Sequence, residues 1–161
     1  MHALCSTGAN VEIQRNPLLN SLDIEGLQVI GGSLLLSQLE MPELGLMVHQ
    51  VGRSVNIEDS PSLNRLNLSW VTNVEGNFEI TRNPSLKLVT VDCLHTVGNN
   101  FVLSQLLVTE LLLKINSVGQ SFTVKKCPKL TFLEILHFAS AGNDFTIHHN
   151  PALESLKMDE L

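Results

Sequence analysis

The chain has no tyrosine, one tryptophan and six phenylalanines, so aromatic residues are only 4% of its 161 residues. A core built mainly on large rings is excluded. The apolar content is nevertheless 43%, of which leucine alone supplies 29 residues, and charged residues are just 16%. That balance is too apolar for a disordered tail and sufficient for a core of branched aliphatics. Basic residues are in deficit, 10 Lys and Arg against 16 Asp and Glu, giving a formal charge of −6. This argues against a general nucleic-acid binder. Cysteine is scarce: Cys5, Cys93 and Cys127 are odd in number and widely spaced, without the pairing pattern of a disulfide framework. No apolar run approaches the roughly 18 to 20 residues a membrane span needs, so no membrane insertion is expected. Met1–Thr7 has neither a cationic nor an apolar signal region, and Asp159–Leu161 is not an anchor tail. No export signal is therefore expected within this segment.

What is present is periodicity. Gly8 precedes Val11 and Ile13, Gly31 precedes Leu34 and Leu36, and Gly52 precedes Val55 and Ile57. Gly98, Gly119 and Gly142 lead in the same way to Phe101 and Leu103, Phe122 and Val124, and Phe145 and Ile147. Glu75 holds the equivalent place before Phe78 and Ile80, with Gly76 displaced by one. Positions 8, 31, 52, 75, 98, 119 and 142 are separated by 23, 21, 23, 23, 21 and 23 residues, the scale of a solenoid coil. Seven coils fill the chain. A longer period is nested within, since 75 − 8, 98 − 31, 119 − 52 and 142 − 75 all equal 67. Asn16-Pro17 recurs as Asn83-Pro84 and Asn150-Pro151, and Leu36-Ser37-Gln38-Leu39 as Leu103-Ser104-Gln105-Leu106. One fixed offset in both spacing and residue identity indicates duplication of a three-coil block.

Each coil carries two period-2 alternations, such as Phe78-Glu79-Ile80 and Leu22-Asp23-Ile24, then an apolar pair before the next Gly, such as Val71 with Val74. Alternation of this kind marks a half-buried strand. Three short strands per turn are predicted, in a single solenoid domain spanning 1–161. A coil this small cannot enclose its own apolar interior, so the coils must stack with parallel strands about 4.8 Å apart. The anchor glycine is expected to supply either positive φ or close backbone approach. Asn16, Asn83 and Asn150, with Ser60 and Cys127 in equivalent places, are expected to point inward and satisfy backbone groups of adjacent rungs.

The run Val74-Glu75-Gly76-Asn77-Phe78-Glu79-Ile80-Thr81, the Asn-Pro-x-Leu-x-x-Leu steps and the Val-Gly-x-x-Phe-x-Ile steps resemble the receptor L domain. This is the leucine-rich β-helix domain of insulin- and epidermal-growth-factor-type receptors, itself related to leucine-rich repeat solenoids. The resemblance covers essentially the whole chain. It implies an all-β, right-handed parallel β-helix of about seven 21–23-residue coils, and an extracellular or cell-surface module that binds a protein or glycan.

Binding is expected on outward positions of the first strand. One such column reads Glu12, Leu35, Asn56, Glu79, Val102, Thr123, Thr146; the next reads Gln14, Ser37, Glu58, Thr81, Ser104, Lys125, His148. A third, at the strand edge, reads Arg15, Gln38, Asp59, Arg82, Gln105, Lys126, His149. Candidate binding residues are Trp70, Glu79, Arg82, Lys125, Lys126, His148 and His149. Asp59 and Arg82 should be rung neighbours forming a surface ion pair. Lys125, Lys126, His148 and His149 form a basic end of the face suited to an anionic partner, or one that is simply solvated. Trp70, the lone Trp, falls on a corner, where it either anchors a partner or covers the edge of its own coil. Asn67-Leu68-Ser69 is a glycosylation sequon with Asn67 outward.

Catalysis is not expected. Glu12, Glu58 and Glu79 are not a converging carboxylate pair, and no phosphate loop, GxSxG elbow or HExxH motif occurs. No cofactor is expected. Zinc is disfavoured because adjacent histidines on one strand should not converge and no third ligand has suitable spacing. The alternative to a binding module is a structural solenoid that assembles end to end. Leu4 and Leu161 sit at coil positions equivalent to interior leucines, so the segment is expected to belong to a longer array or to pair at its ends.

Overall fold

A computed structural model describes residues 5–159 of the chain. Leu4 and Leu161, invoked above for the coil ends, lie outside the described residues. Among those residues there is no helix; the structure is an all-β parallel solenoid of seven turns. The first face is a seven-stranded sheet ordered coil by coil: Val11–Gln14, Leu34–Ser37, Val55–Glu58, Phe78–Asn83, Phe101–Leu106, Phe122–Lys125 and Phe145–His148. Its register pairs equivalent residues of successive coils, for example Phe78 with Val55 and Phe101. The third face is a second seven-stranded sheet of short strands running from Cys5–Thr7 to Ser140–Ala141.

The second face differs from expectation. It is split into two three-stranded sheets, Glu43–Gly45 with Arg65–Asn67 and Leu88–Thr90, and Glu110–Lys114 with Phe132–Leu136 and Ser155–Met158. A single bridge, Val91 to Leu113, links them. Leu22-Asp23-Ile24 of the first coil forms no strand, contrary to its alternation. Here the Asp23 carboxylate accepts the Glu25 N–H at 3.1 Å, a local bond that competes with the sheet ladder. The two interruptions are related by the 67-residue period. Each falls where a 23-residue coil meets a 21-residue one, whose shorter corner after Leu39 or Leu106 lacks the Asn-Pro step.

Inward side chains form columns that repeat along the axis. Phe78, Phe101, Phe122 and Phe145 stack nearly parallel, with ring centroids 5.2, 4.9 and 4.8 Å apart. Aliphatics fill the rest: Leu36, Ile57, Ile80, Leu103 and Val124 are all essentially inaccessible. Two polar columns brace the stack. At the start of the first face, Asn10 Oδ1 accepts the Ser33 N–H, Ser33 Oγ that of Ser54, and Ser54 Oγ that of Asn77. Asn77, Asn100 and Ser121 continue the series to Asn100, Ser121 and Asp144. At the end of that face the direction reverses. Asn83 Oδ1 accepts the Ser60 N–H at 3.0 Å, Ser60 Oγ that of Leu39 at 3.1 Å, and Asn150 Oδ1 that of Cys127 at 2.9 Å. Asn83 and Asn150 also donate to the carbonyls of Ile57 and Val124 in the preceding coil. The inward role expected of these residues is thus observed for Ser60, Asn83, Cys127 and Asn150. Asn16 is exposed and bonds only its own coil at Gln14 O, because no described rung lies beneath it.

The glycines act through space, and none has positive φ. A Cβ at Gly52 would sit 2.5 Å from Gly31 O, and one at Gly98, Gly119 or Gly142 would come closer still to the carbonyl of the coil before. Positive φ occurs elsewhere, at His137 and at seven non-glycine residues that occupy one position in every coil.

Candidate functional site

Those seven residues are the strand-edge column. Arg15, Gln38, Asp59, Arg82, Gln105, Lys126 and His149 have φ between 52 and 59°. Each ends a first-face strand, and the left-handed step turns the chain toward the second face while projecting its side chain outward. Such a conformation costs an L-residue roughly 1–2 kcal/mol unless it is Gly, Asn or Asp. Six of the seven positions carry long or ring side chains instead. Sequence reasoning placed this column and gave the anchor glycines either positive φ or close backbone approach; close approach is what they make, and the positive φ falls on this corner.

The interior of the column carries an ion-pair cluster. Arg82 straddles Asp59 in a two-pronged contact, Nε to Oδ1 at 2.8 Å and Nη2 to Oδ2 at 3.0 Å, and also meets Glu58. The guanidinium holds the Asp59 carboxyl below its ordinary range, and the carboxylates raise that of Arg82. This is the rung-to-rung pair the 23-residue spacing implied. Glu79 lies half-buried three residues earlier on the Arg82 strand, paired in register with Asn56 and Val102. The middle column is less open than expected: Thr81 and Ser104 are buried, so its centre is not a contact surface.

At the C-terminal end of the same corner, Lys125 pairs in register with His148. Lys126 and His149 follow them on the left-handed step. Lys126, His148 and His149 are exposed, and Lys125 is half-buried. No carboxylate among the described residues lies within ion-pair distance of these four groups. The expectation that the histidines diverge is corrected. Positive φ at His149 folds its ring back onto His148, with centroids 4.8 Å apart, the planes at 72° and the Nδ1 atoms within hydrogen-bonding distance. Among the described residues no three His, Cys, Asp or Glu side chains gather around a common point.

The remaining candidates stand on other corners. Trp70 is 49% exposed on the turn between the second and third faces, edge-on to His49 of the preceding coil at 5.6 Å. It thus packs against a neighbouring coil, on a different corner from Arg82. Asn67 is exposed at the end of a second-face strand, its Oδ1 accepting the Ser69 N–H at 2.9 Å and hydroxyl at 2.7 Å. Beside it Gly45 is its register partner, leaving that flank open. A shallow depression of about 410 Å³ lies over this face, lined by Glu43, Arg65, Asn67 and Leu88 among others. Sequence reasoning did not find it, because it arises from small residues, Gly45 and Thr90, set between larger ones on adjacent rungs. Cys127 is fully buried, and burial pushes its thiol up from its ordinary value, whereas Cys5 and Cys93 are exposed. No protein-family model, curated protein or solved structure matches the chain.

Proposed function

We propose that the chain is a non-catalytic binding module of the receptor L-domain kind, at the cell surface or outside the cell, recognising a protein or glycan through the first face and its left-handed corner. The observation that carries this reading is the corner column. Its backbone is the same in every coil, yet its side chains change from Arg to Gln, Asp, Arg, Gln, Lys and His. Strain retained at non-glycine residues, with chemistry varied on a constant frame, is the pattern expected of recognition. Glu79 and Arg82 form the centre of that surface and the Lys-His groups its basic end. Trp70 is a separate anchor on the opposite corner, and Asn67 an outward glycan acceptor on the second face.

The test is a screen of extracellular proteins and glycans against the immobilised chain. Saturable binding that drops at least tenfold in Glu79→Ala/Arg82→Ala, with Trp70→Ala reporting the second corner, supports the reading. A ligand indifferent to all three changes would overturn it.

A second reading, end-to-end assembly into a scaffold, has its own observation. In the last coil the inward residues Phe145, Leu156 and Met158 are 36, 47 and 37% exposed, where their equivalents one coil earlier are buried or nearly so. Concentration-dependent growth in sedimentation velocity, abolished by Ile147→Lys and Leu156→Glu, would favour it.

A further inference from the structure

From the way the corner column ends, we infer that Lys125, Lys126, His148 and His149 form a site for a tetrahedral oxyanion, a sulfate or phosphate group. The inference rests on the reading of the corner as a recognition surface and supplies the ligand chemistry for its C-terminal end.

Geometry comes first. The four side chains occupy two adjacent rungs, with Lys125 beside His148 and Lys126 beside His149. Rungs about 4.8 Å apart suit an anion whose oxygens can reach donors on both. The left-handed step matters, because on a regular strand His149 would face away from His148. Here both Nδ1 atoms converge on one point.

Electrostatics then select the ligand. The chain carries −6 overall, but the acids of these columns, Glu58 and Asp59, are already engaged by Arg82. The intervening rung contributes the uncharged Ser104 and Gln105. The turn after Lys126 adds Lys129 and the neutral, buried Cys127; the rung of the histidines opens with Asp144 and carries Glu154 in its following turn, and neither acid forms an ion pair with the two lysines. A divalent metal at the Nδ1 pair would meet two ammonium groups one rung away, so the same convergence that invites a cation is electrostatically set against it.

The histidine contact supplies the ring donors. Two Nδ1 atoms in contact share an N–H, and an oxyanion seated beside the rings takes hydrogen bonds from them together with the lysine ammonium groups.

The experiment follows the His148 and His149 ring resonances of the whole chain by NMR. Sodium sulfate and sodium phosphate are titrated against sodium chloride at matched ionic strength and one fixed pH. Saturable shifts at both rings are expected, and they are expected to be lost in Lys125→Gln/Lys126→Gln. Repeating the titration with a sulfated disaccharide and a phosphomonoester identifies which ester the site prefers. Absence of saturation, or saturation unchanged by the lysine variant, overturns the site. Because these variants lie on the surface, unchanged far-UV circular dichroism checks that they fold. Failure here is separable from failure of the broader reading: sulfate binding without any macromolecular ligand sinks only the latter. A macromolecular ligand lost in Arg82→Ala but indifferent to Lys125 and Lys126 sinks only the former.

Discussion

Asn83 shows what a single residue does in this architecture. Its amide accepts from Ser60 and donates to Ile57, and it is completely buried, so Asn83→Ala strands a backbone N–H and a carbonyl at once. A loss of about 2–4 kcal/mol is expected from two such groups, read by urea unfolding. The same change at Asn16, exposed and bonded only within its coil, should cost a few tenths of that. Backbone strain gives the opposite sign. Gln105 is exposed at φ 59°, so Gln105→Gly should be neutral or stabilising by up to about 1 kcal/mol, and Gln105→Val destabilising. Asp59, held below its ordinary 3.8 by Arg82, contributes stability that is present above that value and lost as pH falls through the lowered one. Being exposed, the pair is a minor term, and Arg82→Met should remove this part of the acid dependence. Cys127, with its thiol raised by burial, adds the converse: stability present below its ordinary 9.0 and lost as pH rises through the folded value. In a thiol-labelling assay Cys5 and Cys93 should react in the native state and Cys127 only after unfolding.

The elements are coils, and their energetics come from neighbours. Phe101 lies between Phe78 and Phe122 in the ring stack, so Phe101→Ala should cost about 3–5 kcal/mol in thermal or urea unfolding. Gly98→Ala would drive a methyl into the Glu75 carbonyl and should destabilise by more than the usual 1–3 kcal/mol of overpacking. Gly8→Ala meets nothing within 4 Å and should be tolerated. At this scale the sequence was largely legible. Spacing of the anchors gave the coil number, the period-2 alternation gave three faces, and the 67-residue offset gave equivalent positions that the register reproduces. What alternation does not encode is pairing across a change of coil length. Leu22-Asp23-Ile24 has the pattern of a strand without a partner in register, and the gap between Leu88–Thr90 and Glu110–Lys114 repeats that failure one block later. The site was legible as a list of columns, but its convergence was not. The folding back of His149 onto His148 and the burial of Thr81 and Ser104 depend on the left-handed corner, for which Arg, Gln and Lys carry no local signature.

For the whole molecule, stability is close to a sum of coil and interface contributions, since each coil touches only those beside it. Central substitutions should therefore lower the stability of both flanks, and terminal ones only of their own end. Hydrogen exchange should show protection falling from the middle coils outward, with the first and last coils exchanging soonest. The two polar columns oppose one another in direction along the axis, one accepting from the coil after and one from the coil before. Separating the third coil from the second or the fourth therefore breaks both kinds of bond, whereas Leu106 offers no side-chain acceptor between the fourth and fifth coils.

The alternation of 23- and 21-residue turns has a mechanical consequence. Backbone bonds in the three faces run along the axis, so a load applied between the two ends opens them singly rather than in shear, one turn after another. Each released turn adds its own contour length, about 78 Å for 23 residues and about 71 Å for 21 at some 3.4 Å per residue. A single molecule drawn out under tension should therefore lengthen in a sawtooth whose steps carry the same long-short order as the spacing of its glycines.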